Sequence, residues 1–196
     1  MKKLIVSIVL LVIIVGGGGG AYWYFFASTE AKLKQHYQSI QNKWLADKAL
    51  IDAIIESNSK AADWDEAKIK VLDDKWRLEK ISGKYELIND VVNGRASGFV
   101  REVQENSNGL YKEVIVMNNK GTNVGVSDIT SDYWQGDEAK WQETYLKGNG
   151  AIHIAETEFD KSTLTYTTQL SFTVTNPADQ KPIGAITLGV ALDKLK

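Results

Sequence analysis

The chain has no cysteine, which excludes a disulfide, a thiolate nucleophile and any Cys-ligated metal site. That lack is compatible with an oxidising compartment without requiring one. Histidine is nearly missing as well: His36 and His153 are the only two. They lie far apart, and no Ser-His-Asp order, metal-ligand spacing or phosphate-cradling glycine loop accompanies them. No enzyme is expected, and so no catalytic residue, metal or cofactor. Clustered positive charge is also lacking. Residues 28–196 hold 21 Lys and Arg against 25 Asp and Glu, with no basic stripe of the kind that phosphate binding needs, so nucleic acid is not an expected partner. With two prolines in 196 residues, one membrane segment plus one globular domain is the natural division.

One long apolar run is present, at the start. Met1-Lys2-Lys3 precedes Leu4 to Val15, interrupted only by Ser7, and Gly16–Gly20 and Ala21-Tyr22-Trp23-Tyr24-Phe25-Phe26-Ala27 follow. Residues 4–27 exceed the about 20 residues that span a bilayer. A cleaved signal peptide is one reading, but Ala27-Ser28 has Phe25 where a small residue is wanted. The other reading, an uncleaved signal anchor, is supported by Tyr22, Trp23 and Tyr24 at the place of an interfacial aromatic belt. The first lysines then hold the N-terminus inside, and residues 28–196 face outward from the inner membrane into the periplasm or its equivalent.

Beyond the anchor, Leu33, Tyr37, Ile40, Trp44, Ile51 and Ile54 recur at steps of four and three, with Asp47 the one polar residue on the stripe. This predicts an amphipathic helix of about thirty residues. The period permits a homodimer through the 33–54 stripe, and equally the packing of that stripe on its own domain. Asp63 is expected to cap a second helix reaching about Ile81, with Trp64, Val71, Leu72, Trp76 and Leu78 as its apolar content. A third helix is expected from about Tyr85 to Val103. Gly94 and Gly98 weaken it, so two short pieces are an alternative. The acidic groups Asp63, Asp65, Glu66, Asp73 and Asp74 read as solvated helix faces.

After Gly109 the period changes. Tyr111–Met117 and Thr122–Ser127 read as a hairpin around Asn118–Gly121, and Ala151–Ala155 as a third strand. The fourth, Leu164 to Thr175, alternates strictly, with Leu164, Tyr166, Thr168, Leu170, Phe172 and Val174 on one side and Thr or other polar residues on the other. Ile183–Leu192 alternates large with small. One face of this sheet therefore calls for a helix against it, and the other is lined by small and hydroxylated side chains.

The segment from Asp128 to Leu146 joins the second strand to the third. It holds four aromatics and several carboxylates, and long connections in compact domains are commonly binding loops. It is expected to fold over the small-residue face. Tyr133, Trp134, Trp141 and Tyr145 would form the walls of a ligand pocket, and Asp128, Asp132, Thr167, Gln169 and Ser171 its polar contacts. The alternative is that the tryptophans plug the core and the carboxylates face water. A Ca²⁺ site built from Asp128, Asp132, Asp137 and Glu138 lacks the regular Asp-x-Asp-x-Asp-Gly loop.

The hairpin "VIVMNNKGTNVGVSD", the connection "SDYWQGDEAKW" and the final "LSFTVTNPADQKPIGAITLGVALDKL" resemble the extracytoplasmic Cache or PDC (PAS-like) sensor domains, over roughly residues 28–196. The resemblance implies an α+β fold: an N-terminal transmembrane helix, then a long amphipathic helix plus two helices packed on a five-stranded antiparallel PAS-like sheet. The helical part would be residues 28–109 and the sheet part 110–196. It also implies a membrane-anchored sensor of a small molecule, without a signalling module after Lys196 and therefore acting through a partner signalling protein. A non-sensing module that docks on other envelope proteins is the competing class. Amino-acid-binding members of the family carry an Arg and an Asp where this chain has Ala139 and Gly189, which argues against a free amino acid as the ligand.

Overall fold

The computed structural model describes residues 19–160 and 165–196. Most of the expected membrane segment, residues 4–18, lies outside the described residues. Among the described ones no helix is long and apolar enough to cross a membrane. The first helix, α1 (Gly19–Leu45), runs through residue 27 without a break.

The long amphipathic helix is two helices. It stops at Leu45, and α2 (Lys48–Lys60) restarts with Asp47 as its N-cap, the side chain accepting from the Leu50 N–H at 2.9 Å. The lone polar residue on the stripe is thus a capping residue, whose carboxylate competes with helix continuation. Of the two readings of the 33–54 stripe, packing on its own domain is the one present. Leu33, Tyr37, Trp44, Ile51 and Ile54 are buried in the domain's own core, with Tyr37 5.1 Å from Phe172 and Trp44 edge-on to Phe99 at 5.6 Å. A stripe already covered by its own sheet has no area left for a coiled-coil partner.

Asp65, not Asp63, caps α3 (Glu66–Ser82), accepting from the Lys68 N–H at 2.8 Å. Gly83, at φ +70°, ends it in the left-handed conformation. Trp76 is fully buried, but Val71 and Leu78 point to solvent, because the buried side of α3 is set by Ile69, Asp73, Trp76 and Glu79. Of the two readings of the next helix, the broken one holds: α4 (Leu87–Val92) and α5 (Arg95–Glu105) meet at Asn93-Gly94.

Glu79 is a buried acid on α3. Its carboxylate accepts the backbone N–H groups of Glu86, Leu87 and Ile88 at 2.9–3.0 Å, satisfying donors that begin α4 and would otherwise have no partner. Burial alone would raise its pKa, but these three bonds and Lys75 hold it below the ordinary 4.5. A depressed folded-state pKa means the stabilisation is present above the unfolded value and is lost as pH falls through the folded one. Urea unfolding of Glu79→Gln should therefore show a shallower loss of stability from about pH 5 to about pH 3 than the parent protein. Equal acid dependence would remove this carboxylate from the balance.

The strands are β1 (Tyr111–Asn118), β2 (Asn123–Val126), β3 (Ile152–Ile154), β4 (Glu158–Asp160), β5 (Thr165–Thr175) and β6 (Pro182–Ala191). They form an antiparallel sheet in the order β2-β1-β6-β5-β3, with β4 pairing beyond this path on β5. The five expected strands are present. β4 is the addition, three residues too short and too acidic to show an alternation. The alternation of β5 and β6 decides the layers. Leu170 lies opposite Leu188 and Phe172 opposite Ile186, and with Val114 and Val116 they pack under α1, α2 and α5. Ile115, Met117 and Ala185 point the other way, into a second cluster with Trp76, Ile88 and Tyr133. The small-residue half of that face lies under α6 (Ala139–Gln142) and a short 3-10 helix, Tyr145–Lys147.

Candidate functional site

A short backbone bridge, Thr122 opposite Trp134, and several side-chain bonds fix the connection over the sheet. Asp73 Oδ1 accepts the backbone N–H groups of Tyr133 and Trp134 at 2.8 and 3.0 Å. The indole N–H of Trp134 donates to the Lys120 carbonyl at 2.9 Å, and that of Trp141 to the Asn118 carbonyl at 3.0 Å. Both tryptophans thus grip the β1–β2 turn. The grip needs two glycines: a Cβ at Gly121 would lie 2.4 Å from the Gly136 Cα, and one at Gly136 would lie 2.3 Å from the Trp134 indole nitrogen. Gly121 is also at φ +77°, where other residues are strained.

A cavity of about 750 Å³ lies beside this roof, within the usual range for small-molecule sites. Thr167 and Gln169 of β5 and Gly189 of β6 line it, with Glu113 of β1 and Glu138 at the start of α6. The β3–β4 segment, from Ala155 to Phe159, closes another side. Gln169 Nε2 donates to Glu113 Oε1 at 3.1 Å. A Cβ at position 189 would lie 2.8 Å from the Glu113 side chain, so an acid there would displace Glu113. The lining carries four glutamates, 113, 138, 156 and 158, against Lys112. Lys140 draws Glu138 into an ion pair at 3.1 Å.

Of the nine site residues expected from the sequence, Thr167 and Gln169 line this cavity. Ser171 is fully buried and shares a 2.9 Å hydrogen bond with Thr187. Tyr133 is buried beside Trp76, ring centroids 5.6 Å apart, and lines a different cavity. Trp134 and Trp141 serve those side-chain bonds, and Tyr145 stacks on Trp141 at 5.1 Å. Asp128 accepts from Gln104 Nε2 at 2.9 Å. Asp132 accepts from Gln135 Nε2 at 2.6 Å and faces Arg77 at 3.4 Å. Of the carboxylates named for Ca²⁺, Asp128, Asp132 and Glu138 are thus engaged separately, and no metal-holding group of three or more acids or histidines exists among the described residues. Asp73, read as a solvated acid, is in fact buried and holds the connection. Glu113, Glu138 and the acidic run of 156 and 158 carry most of the cavity's charge. None of the four was expected to line a pocket, and the alternating acids of Glu156-Thr157-Glu158 are a signal for that pair alone.

Tyr111, two residues before Glu113, connects the cavity wall to α1: its hydroxyl lies 2.7 Å from His36 Nε2. Burial lowers the His36 pKa from 6.5 and pushes the Tyr111 phenol up to about 12. The phenol therefore keeps its proton at neutral pH, and the imidazole tautomer sets which of the two groups donates.

No family model matches the chain, and no curated protein matches it. Among solved structures it is similar to the sensor domain of the V. cholerae histidine kinase DctB, at 11% identity over 90% of this chain and 58% of that one, with a TM-score of 0.43. It is also similar to the ligand-binding domain of the Campylobacter jejuni chemoreceptor Tlp3 in complex with L-valine, at 16% identity over 84% of this chain and 64% of that one, with a TM-score of 0.40. The ligand-binding domain of Mlp24 with asparagine matches at 14% identity over 86% and 61%, with a TM-score of 0.36. The chain thus spans about three fifths of the length of these solved sensor and ligand-binding domains.

Proposed function

We propose that this is a small-ligand sensor domain of the Cache/PDC kind. It would be held on the outer side of the inner membrane by residues 4–27 and act through a partner signalling protein. The observation that carries the reading is the cavity of about 750 Å³ between Thr167, Gln169, Gly189, Glu113 and Glu138. Its excess of glutamate favours a cationic ligand, of the small-amine class. Glu113 and Glu138 would meet the charge, and Thr167 and Gln169 the remaining polar groups. Signal would leave by two routes. Glu113 lies two residues along β1 from Tyr111, across a bulge in the pairing with β6, and the Tyr111 hydroxyl meets His36 of α1. Glu138 starts α6, whose Trp141 grips the Asn118 carbonyl, while the Asn118 side chain donates to Ser57 Oγ on α2 at 3.1 Å. Binding shifts that arrangement only by its differential affinity for the two states.

The test is a thermal-shift screen of the full chain in detergent over amines, organic acids and nucleobases. An amine at 100 times its dissociation constant should add about 2.7 kcal/mol of stability. Glu113→Gln should weaken that amine about tenfold, equivalent to about 1.4 kcal/mol. A screen in which no amine shifts the melting temperature, or in which only anions do, sinks the reading. One observation favours the docking-module alternative: Val71, Leu78 and Ile81 are 61%, 65% and 85% exposed along one side of α3. Wild-type partner capture lost in Leu78→Asp, with no ligand found, would establish that alternative.

A further inference from the structure

Of the four glutamates around the cavity, Glu138 alone is in an ion pair among the described residues. Its partner is a buried lysine. Lys140 is 8% exposed, and an ammonium out of water is costly unless its charge and its hydrogens are met. Its Nζ meets two oxygens, Glu138 Oε2 at 3.1 Å and Gln135 Oε1 at 3.1 Å. Gln135 is 1% exposed and turned so that Oε1 faces the lysine, because its Nε2 donates to Asp132 Oδ1 at 2.6 Å and to the Asp132 carbonyl at 3.2 Å. A neutral amide orients an ammonium but does not balance its charge. Among the described residues, Glu138 is the carboxylate that does so. The Glu138 side chain nonetheless stays 43% exposed and lines the cavity. One carboxylate therefore serves both a buried cation and the ligand space.

We infer that Lys140 is an internal competitor of the ligand: it engages the charge on Glu138 that a bound amine needs, and so sets the affinity of the cavity. The inference rests on the amine-sensor reading above and adds the residue that tunes it. An amine reaching Glu138 meets a carboxylate already shared with Lys140, and the two ammonium groups repel each other across it. If the amine takes the carboxylate outright, Lys140 is left buried with a neutral amide, at a cost charged against binding. Both effects weaken the ligand. Glu113 differs, because Gln169 donates to it and brings no charge. Removing the Lys140 charge therefore frees Glu138 and leaves the Glu113 contact as it is. The probe suited to this competition is n-butylamine, which copies the lysine head and stem.

The test is calorimetric titration of the full chain, in detergent and phosphate buffer, with n-butylamine. Lys140→Met, which keeps an unbranched stem and removes the charge, should bind it about fivefold more tightly than the wild type, the scale of a partly exposed ion pair. In a Glu138→Gln background the same substitution should change affinity by less than about twofold. A merely structural role of Lys140 does not produce that coupling. If Lys140→Met does not fold, Lys140→Gln, which keeps a donor for Gln135, should show the same gain. Unchanged or weaker binding in the folded variant overturns the proposal, and so does an equal gain in both backgrounds. Glu113→Gln reads the amine cavity separately: weaker binding there, with no gain on loss of Lys140, keeps the sensor reading and sinks only this inference. No binding of butylamine by the wild type or a Lys140 variant up to about 10 mM also overturns it, and the sensor reading then rests on the wider amine screen.

Discussion

Replacing Trp76 by alanine is expected to lower the stability of the domain by about 4 kcal/mol, the range measured when a fully buried Trp is cut back. Its indole is the largest fully buried side chain. It fills the space between α3 and the connection, against Tyr133 at 5.6 Å, and its N–H donates to the Thr130 carbonyl at 3.1 Å. Removal leaves both a void and a carbonyl with one partner fewer, Lys80 Nζ at 3.1 Å being the other. Against a total of roughly 5–15 kcal/mol for a domain, that is a large fraction. Urea unfolding followed by circular dichroism reads it directly. Val71→Ala and Leu78→Ala on the exposed side of the same helix should stay within about 0.5 kcal/mol. A Trp76→Ala loss no larger than theirs would mean that the cluster around Ile88, Met117 and Tyr133 can close over the gap.

The difference between Trp76 and its neighbours on α3 shows what could be read from the sequence. Where burial follows a strict period, the layers were legible. β5 and β6 alternate without exception from Leu170 to Val174 and from Ile186 to Val190, and those residues are the core under the helices. The hairpin was legible because Gly121 at a left-handed turn has a local cause. Three features were not. Asp47 sits in phase with an apolar stripe, so only its capping bond with Leu50 reveals the break between α1 and α2. Val71 and Leu78 look like core by composition, but the side of α3 that is buried carries two acids, Asp73 and Glu79, whose backbone N–H partners lie 7 to 61 residues away in sequence. The cavity was half legible for a related reason. Thr167 and Gln169 follow from the parity of β5, whereas Glu113 and Glu138 reach the same space only through strand order and the fold of the connection. Aromatic residues in a long connection suggested walls for a ligand. The indole N–H groups instead hold a turn, a use that composition does not distinguish from stacking.

Asp73→Ala is expected to cost about 3 kcal/mol and, more tellingly, to free the connection from α3. Asp73 is 7% exposed. One oxygen takes the N–H groups of Tyr133 and Trp134, and the other faces Arg77 at 2.9 Å. A hydrogen bond to a charged group contributes about 1.5–3 kcal/mol, and the two amides left behind are themselves costly if they stay buried without an acceptor. The cheaper outcome is for residues 130–136 to lift until water reaches those amides. Amide hydrogen exchange should then accelerate at Tyr133, Trp134 and Gln135 while β5 and β6 remain protected, because local opening follows the stability of the opened unit. Asp73→Asn keeps an acceptor at Oδ1 and loses the charge, so it should lie between the two, with exchange closer to the parent. Because Glu138 walls the cavity beside the roof, amine affinity should fall in Asp73→Ala even where the protein is still folded. Protection at Tyr133 and Trp134 equal to that of the parent chain would show that the tryptophan N–H bonds and the Thr122–Trp134 bridge suffice, and that Asp73 does not set the position of the roof.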